Sequence, residues 1–224
     1  MGIIDADAHV LEIDATWEYM DPGERDFKPR VEYKTFETGE VAKSWIIGGH
    51  RIRAPWPGGG KQSEVGLFID NVELPVDSKF LLDVGSRVRH MDQLGTDVQV
   101  LYPSLWTGPL TNDPAEEVAL CRSYNRWMAD VWAEGKGRLR WAATVPVLAM
   151  DEVEEQLRFS KDHGAVAVNF RGVESGNRLI CDPYLFPIYE WAAELDMPVC
   201  SHTGTGSFEI DAIFGGVLTA FERN

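Results

Sequence analysis

The sequence predicts an α/β fold in which parallel strands alternate with helices. Short apolar runs recur along the C-terminal two-thirds of the chain, and amphipathic stretches of roughly 10–20 residues separate them. Strands that are joined through helices of this length form parallel βαβ units. The 224-residue chain is 44% hydrophobic and 11% aromatic, so it can bury a sizeable core, which excludes wholesale disorder.

Five strands are predicted, at residues 3–10, 97–102, 138–147, 165–170 and 197–201. Helices follow all but the first of them, at residues 114–134, 151–163, 183–195 and 210–223. Pro103 ends the second strand, because proline cannot donate to a sheet ladder. Asp151 is the expected N-cap of the second helix, and Gly164 is expected to end that helix.

A long segment between the first strand and Asp97 interrupts this alternation. Residues 31–36 and 43–53 predict two strands of a hairpin around residues 37–40, and residues 55–60 predict a loop. The segment is too long for a simple βα loop, so we expect a single domain, residues 1–224, with an insertion at about residues 13–90. Trp45, Trp56 and Phe68 either roof a pocket or pack the insertion itself.

Charge and cysteine content exclude several classes of partner. The chain has 21 Lys and Arg against 36 Asp and Glu, a net charge of −15, which argues against nucleic acid and anionic lipid. Residues 1–10 are acidic and short of apolar residues, so we expect no signal peptide there, and no stretch approaches the roughly 18 apolar residues of a membrane span. Cys121, Cys181 and Cys200 are odd in number and lack zinc-like spacing, so we expect buried free thiols in a reducing cytoplasm.

Two glycine-rich stretches fail as nucleotide-binding motifs. Residues 58–61 resemble a phosphate loop, but Pro55 stands where the first glycine belongs and Gln62 where Ser or Thr would bind magnesium. Residues 204–206 begin like a dinucleotide fingerprint, but Glu209 stands at its third glycine. A nucleotide-dependent enzyme is therefore disfavoured.

Asp5, Asp7 and His9 alternate along the first strand, so strand periodicity predicts that they share one face. Asp7 and His9 lie nearest the carboxyl end of the strand, where parallel α/β folds place active sites. A carboxylate and an imidazole at this spacing can ligate one divalent metal, and Asp5 is expected to be structural. A capping aspartate beside a surface histidine is the alternative.

His202 strengthens the metal hypothesis, because it directly follows the apolar strand at residues 198–200. Gly204 and Gly206 beside it allow a close approach of the backbone to a ligand. Two histidines and a carboxylate form the usual protein ligand set of a catalytic zinc, and the carboxylate oxygen also admits manganese.

Three further residues are candidates for contact with a substrate. Arg171 follows the strand at residues 165–170 and could pair with a substrate carboxylate, with a surface salt bridge as the alternative. Ser104 and Trp106 follow the second strand as candidate pocket walls, with loop structure or core packing as the alternative.

Several segments, in order along the chain, together resemble a known family. They are Ile4-Asp-Ala-Asp-Ala-His-Val10, Met91-Asp-Gln-Leu-Gly-Thr-Asp-Val-Gln-Val-Leu-Tyr-Pro103, Tyr124-Asn-Arg-Trp127, Gly137-Arg-Leu-Arg140, Gly164-Ala-Val-Ala-Val168, Asp182-Pro-Tyr-Leu-Phe-Pro187 and Pro198-Val-Cys-Ser-His202. The sequence is similar in these segments to the amidohydrolase-related proteins (the amidohydrolase 2 group), which include the aminocarboxymuconate-semialdehyde and γ-resorcylate decarboxylases.

The resemblance implies a (β/α)8 TIM barrel of the metal-dependent hydrolase type that holds one divalent ion. In that family an Asp-x-His pair ends the first strand and a histidine follows the fifth, which correspond to Asp7, His9 and His202. Only the first five β/α units are expected here, so the family's later acid/base histidine and metal aspartate have no counterpart and the catalytic residues stay unassigned.

The implied activity is that of a hydrolase or a carbon–carbon lyase (a decarboxylase). The expected substrate is a small carboxylated or cyclic molecule, including an aromatic one. The expected cofactor is one zinc ion, with manganese as the alternative, and the expected assembly is a homo-oligomer. Whether this chain is active alone stays open, and a non-catalytic metal-binding or interaction module is the alternative.

Overall fold

The structure is a computed structural model that describes residues 2–39, 41–54, 75–172 and 174–202. Its strands are, in chain order, β1 (Ile4–Val10), β2 (Arg30–Thr35), β3 (Val41–Ile47), β4 (His50–Ala54), β5 (Val98–Pro103), β6 (Leu139–Ala143), β7 (Ala165–Arg171), β8 (Glu174–Ser175), β9 (Arg178–Leu179) and β10 (Val199–His202). Its α-helices are α1 (Val76–Lys79), α2 (Val84–Leu94), α3 (Pro114–Glu134), α4 (Val153–Asp162) and α5 (Phe186–Glu194).

The centre of the fold is a five-stranded sheet in the order β1-β5-β6-β7-β10. Every neighbouring pair in it is parallel, which confirms the predicted βαβ architecture. Helices α3, α4 and α5 connect its last four strands, and α2 leads into β5. The sheet is curled, because His9 on one edge strand and His202 on the other bring their Nε2 atoms within 3.1 Å of each other.

The main hydrophobic core lies between the convex face of this sheet and the helices. Leu101, Trp141 and Val168 alternate with concave-face residues along their strands and are fully buried in this core. Helix α3 presents Leu120 and Met128 to the same core, and both are fully buried. Each such side chain contributes about 1.5–3 kcal/mol relative to exposure, so this packing stabilises the contact between the sheet and the helices.

Helix α3 spans the predicted residues 114–134. The Asp113 carboxylate caps it by accepting hydrogen bonds from the backbone N–H of Ala115 (2.9 Å) and of Glu116 (3.4 Å). Asp151, in contrast, is not an N-cap, because a short 3₁₀ turn at Met150–Glu152 precedes α4. The predicted stop after α4 is confirmed at Gly164, which has a left-handed φ of 88°.

The chain segment that connects β1 to β5 contains strands β2, β3 and β4, which form a separate antiparallel sheet. The prediction of one strand at residues 43–53 is wrong, because Gly48 and Gly49 have φ values of 56° and 79° and turn the chain between β3 and β4. The sequence did not predict α1 and α2, which lie in the same segment. Whether the segment is an insertion into a barrel stays a prediction.

Several predicted features lie outside the described residues. They are the loop at residues 55–60, the glycine-rich stretches at 58–61 and 204–206, Trp56, Phe68 and the helix at 210–223. Within the described residues, no helix combines the length and the apolar composition needed to cross a membrane.

Candidate metal centre

A bulge in β1 decides which of its polar side chains reach the concave face. Between Asp5 and its next paired residue, β1 contains one residue more than β5. The extra residue reverses the alternation, so Asp7 and His9 point to the concave face while Asp5 contacts Gln99 on the helix side. The Asp5 carboxylate accepts a hydrogen bond from Gln99 Nε2 (3.0 Å), and Gln99 Oε1 accepts one from Arg87 Nε (2.7 Å). The prediction that all three residues share one face is therefore wrong.

Asp7, His9 and His202 converge at the carboxyl ends of β1 and β10. His9 Nε2 lies 3.1 Å from His202 Nε2 and 4.0 Å from Asp7 Oδ1, and His202 Nε2 lies 3.6 Å from Asp7 Oδ1. All three donor atoms lie within 4.0 Å of one another, close enough for one divalent ion to be bound by all three. The three residues therefore fit one divalent ion.

Burial favours the ligand form of His9. The pKa of His9 is lowered first by burial and then by the neighbouring His202, which outweigh the opposing effect of Asp7. A lowered pKa keeps the imidazole neutral near pH 7, and a metal binds only the neutral imidazole. The side chains of His9 and His202 are 22% and 18% exposed, while that of Asp7 is 75% exposed, so the centre is open towards Asp7.

Ser104, a predicted pocket wall, lies against His9. Its Oγ donates a hydrogen bond to the Val10 carbonyl (2.8 Å) and lies 3.4 Å from His9 Nδ1. From the helix side, Arg87 Nη2 donates to the carbonyl of His9 (3.3 Å). The backbone and the ring of His9 are thus both contacted by polar groups outside the ligand set.

Glu12 is a site residue that the sequence interpretation missed. Its carboxyl group accepts hydrogen bonds from the backbone N–H of Ser104 (2.9 Å) and of Leu105 (3.2 Å). Glu12 is 4% exposed, and burial raises its pKa to about 8. The available signal in the sequence was its position just after the end of the first strand, where an acidic residue is flanked by the apolar Leu11 and Ile13.

Tyr102 is a second missed residue, on the concave face of β5. Its ring centroid lies 5.6 Å from that of His202 and 6.4 Å from that of His9. Burial raises the pKa of its hydroxyl, so the group stays protonated at neutral pH. The available signal in the sequence was its spacing, because Val98, Val100 and Tyr102 are two residues apart and share one face of the predicted strand.

Arg171 pairs with His202 in the register of β7 and β10, but its guanidinium points to buried protein groups. Arg171 Nη1 donates to the carbonyl of Gly108 (3.0 Å), and Nη2 lies 3.3 Å from Glu117 Oε1. The two side chains are 6% and 4% exposed, so the predicted surface salt bridge is a buried one. Burial raises the pKa of Glu117, and Arg171 opposes that shift.

Trp106 is 3% exposed and belongs to the core. Its ring lies 5.1 Å from that of Tyr124 and 6.4 Å from that of Trp17, measured between centroids. Substrate contact by Ser104, Trp106 and Arg171 stays a prediction.

Comparisons with known proteins identify the family of the chain and several similar solved structures. A family model described as Amidohydrolase matches residues 4–223. Among solved structures, the chain is similar to an amidohydrolase from Mycobacterium avium subsp. paratuberculosis K-10, with 19% identity and a TM-score of 0.66 over 96% of this chain and 62% of the other. No curated protein sequence matches the chain significantly.

Two similar structures are decarboxylases. One is the 5-carboxyvanillate decarboxylase of Novosphingobium aromaticivorans, with bound manganese and a nitrobenzoic acid (18% identity, TM-score 0.61, 98% of this chain and 55% of that one). The other is the 2,6-dihydroxybenzoate decarboxylase of Rhizobium (17% identity, TM-score 0.54, 96% and 54%). At these identities the similarity establishes the fold, and this chain spans 54–62% of the length of these three structures.

Proposed function

The chain belongs to the amidohydrolase family, and on this premise we propose that it is part of a metal-dependent enzyme that decarboxylates a small aromatic carboxylic acid. The observation that carries the proposal is the convergence of the Asp7, His9 and His202 donor atoms at the carboxyl edge of the sheet. The substrates named for two similar structures, 5-carboxyvanillate and 2,6-dihydroxybenzoate, support the choice of an aromatic acid.

Asp7, His9 and His202 would hold the ion, with zinc expected and manganese supported by the ion bound in one similar structure. A divalent ion supplies a Lewis acid that polarises a carboxylate or carbonyl oxygen. Of the chain's own groups, Tyr102 offers an aromatic surface beside both histidines for stacking against a substrate ring.

We keep Arg171, Ser104 and Trp106 as proposed substrate contacts. Arg171 has the strongest support because its strand position adjoins His202. A substrate carboxylate would compete with Glu117 for the Arg171 guanidinium. Burial raises the pKa of Glu117, so Glu117 is more easily protonated than an ordinary glutamate and would then release the guanidinium. Trp106 is buried, so it would shape a pocket wall through packing.

Metal binding is the first test. Metal-free protein is titrated with Zn²⁺ and with Mn²⁺ by calorimetry, and the bound metal is quantified after gel filtration. We expect one equivalent for the wild type, none for His9→Ala or His202→Ala, and one for the control His163→Gln, whose ring contacts Phe159 away from the centre. A wild type without bound metal would overturn the proposal.

Turnover is the second test, with the metal-loaded protein incubated with hydroxylated benzoic acids and, separately, with lactones. Carbon dioxide release from the acids supports a decarboxylase. Cleavage of a lactone without carbon dioxide release would establish a hydrolase instead, as the family's description suggests. Stoichiometric metal without turnover of either set would favour the non-catalytic module. The proposed homo-oligomer is tested by light scattering, and the cytoplasmic location by fractionation of the source cells.

A further inference from the structure

We propose that Ser104 and Glu12 form a positioning relay that fixes His9 in the tautomer whose Nε2 lone pair faces the metal. The inference deepens the proposed function, because it rests on the metal centre at Asp7, His9 and His202. The relay joins two strand ends: His9 and Glu12 lie at and just after the end of β1, and Ser104 directly follows β5.

The hydroxyl of Ser104 has a single proton, and the geometry assigns it to the carbonyl of Val10, 2.8 Å away. Towards His9 Nδ1, at 3.4 Å, the oxygen can therefore only accept a hydrogen bond. The bond requires a proton on Nδ1, which leaves the Nε2 of a neutral ring with its lone pair. In the metal-free protein this Nε2 accepts a hydrogen bond from His202 Nε2–H at 3.1 Å, and it is also the His9 atom that faces Asp7.

Glu12 holds Ser104 in this orientation. Its carboxyl oxygens accept from the backbone N–H of Ser104 at 2.9 Å and of Leu105 at 3.2 and 3.3 Å, which immobilises the turn that follows β5. Burial of a carboxyl group is unfavourable unless its hydrogen bonds are made, and the two backbone N–H groups supply such bonds to the buried Glu12. Residues around a metal site that orient its ligands in this way tune its affinity strongly.

The tautomer is read directly by nuclear magnetic resonance of the metal-free protein labelled with ¹⁵N in histidine. At about pH 8, where histidine is neutral, we expect the His9 ring of the wild type to carry its proton on Nδ1. Ser104→Ala should shift His9 towards the Nε2–H form, and Ser104→Thr, which keeps the hydroxyl, should restore the wild-type pattern.

Metal affinity is the second readout. Ser104→Ala should weaken Zn²⁺ binding about 10–100-fold, the usual loss for an outer partner of a metal-ligating histidine. Glu12→Leu should weaken it in the same direction, and Glu12→Gln, which keeps an acceptor oxygen, should weaken it less. Thr107→Val is the matched control: its hydroxyl donates to the carbonyl of Ser104 in the same turn and does not contact His9.

Unfolding curves for each variant confirm that the fold is retained before affinities are compared. A wild-type His9 protonated on Nε2, or a Ser104→Ala protein with unchanged tautomer and affinity, would overturn the relay. An effect of Thr107→Val equal to that of Ser104→Ala would also overturn it, because disturbance of the turn alone would then suffice. A wild type that binds no metal but carries Nδ1–H would overturn the proposed function and leave the tautomer assignment standing.

Discussion

At the scale of single residues, burial makes Glu12 a source of pH-dependent stability. Its pKa is about 8 in the folded protein against 4.5 as its ordinary value, so the folded state binds the proton more tightly. The stabilisation is complete below about pH 4.5 and is lost as the pH rises through 8, with a slope of up to about 1.4 kcal/mol per pH unit. We expect Glu12→Gln to remove this slope.

Urea unfolding of wild type and Glu12→Gln at several pH values between 5 and 9 checks this, because the difference between the proteins cancels the other titrating groups. The free energy of unfolding of Glu12→Gln, relative to that of the wild type, should increase as the pH rises. A constant difference across the range would contradict the raised pKa of Glu12.

Gly164 combines a left-handed backbone with a close neighbour. Its φ is 88°, and a Cβ added there would collide with the indole of Trp132. Gly39 has a similar φ of 82° with nothing near its Cβ position. We expect Gly39→Ala to cost about 1 kcal/mol, the strain alone, and Gly164→Ala to cost about 2–4 kcal/mol, since overpacking is added. Chemical unfolding measures both, and equal losses would contradict the steric argument.

At the scale of secondary-structure elements, the Arg171–Glu117 pair joins β7 to α3, and Glu117 Oε2 accepts from the N–H of Leu148 beyond β6. Arg171→Met leaves a buried carboxylate without its partner, so we expect a loss of about 3–5 kcal/mol. Arg171→Met with Glu117→Gln should recover most of this loss, because the glutamine carbonyl still accepts from Leu148. Unfolding free energies of the single and double variants provide the test.

The surface comparison is Arg158 on α4, whose side chain is 45% exposed and pairs with Glu154 on α4 and with Glu194 on α5. Arg158→Met should cost much less than Arg171→Met, because water screens an exposed ion pair. If Arg171→Met cost no more than Arg158→Met, the buried pair would be no stronger a link than a surface one.

Elements were predictable from the sequence where their signals are local. Helix α3 has Pro114 at its first position, Asp113 as its cap and an apolar face. The apolar periodicity and the capping residues therefore indicate the same helix start. Helix α2 also has local signals, with apolar Val84 and Met91 on its buried face and a glycine, Gly95, at its end, but it lies within the segment that was predicted to be an insertion. The bulge in β1 arises from its pairing with β5, and the residues of β1 alone carry no signal for it. The prediction for the face of Asp5 was wrong for this reason.

At the scale of the whole molecule, the candidate centre depends on the curl of the sheet. His9 and His202 are 193 residues apart in sequence and lie on opposite edge strands, yet their rings are in contact. The sequence predicted both residues as ligands because each ends a strand. The curl of the sheet sums the twist between each pair of neighbouring strands and the packing of many side chains. No local pattern encodes that sum, so the distance between the two rings could be obtained only from the structure.

An ion at this centre would link the two edges of the sheet, so metal binding should stabilise the fold as a whole. An ion that binds only the folded state adds about 2.7 kcal/mol at 100 times its Kd, which for a chain of this size raises the Tm by about 5–10 °C. We expect Zn²⁺ to produce this rise in the wild type and in His163→Gln, and a chelator to reverse it. His202→Ala should show no rise, because β10 then contributes no ligand. Hydrogen exchange should slow in both β1 and β10 when the ion is added, since each edge is held by the other. An equal rise in Tm for His202→Ala, or protection confined to β1, would mean that the ion binds elsewhere and that the edges are not joined through it.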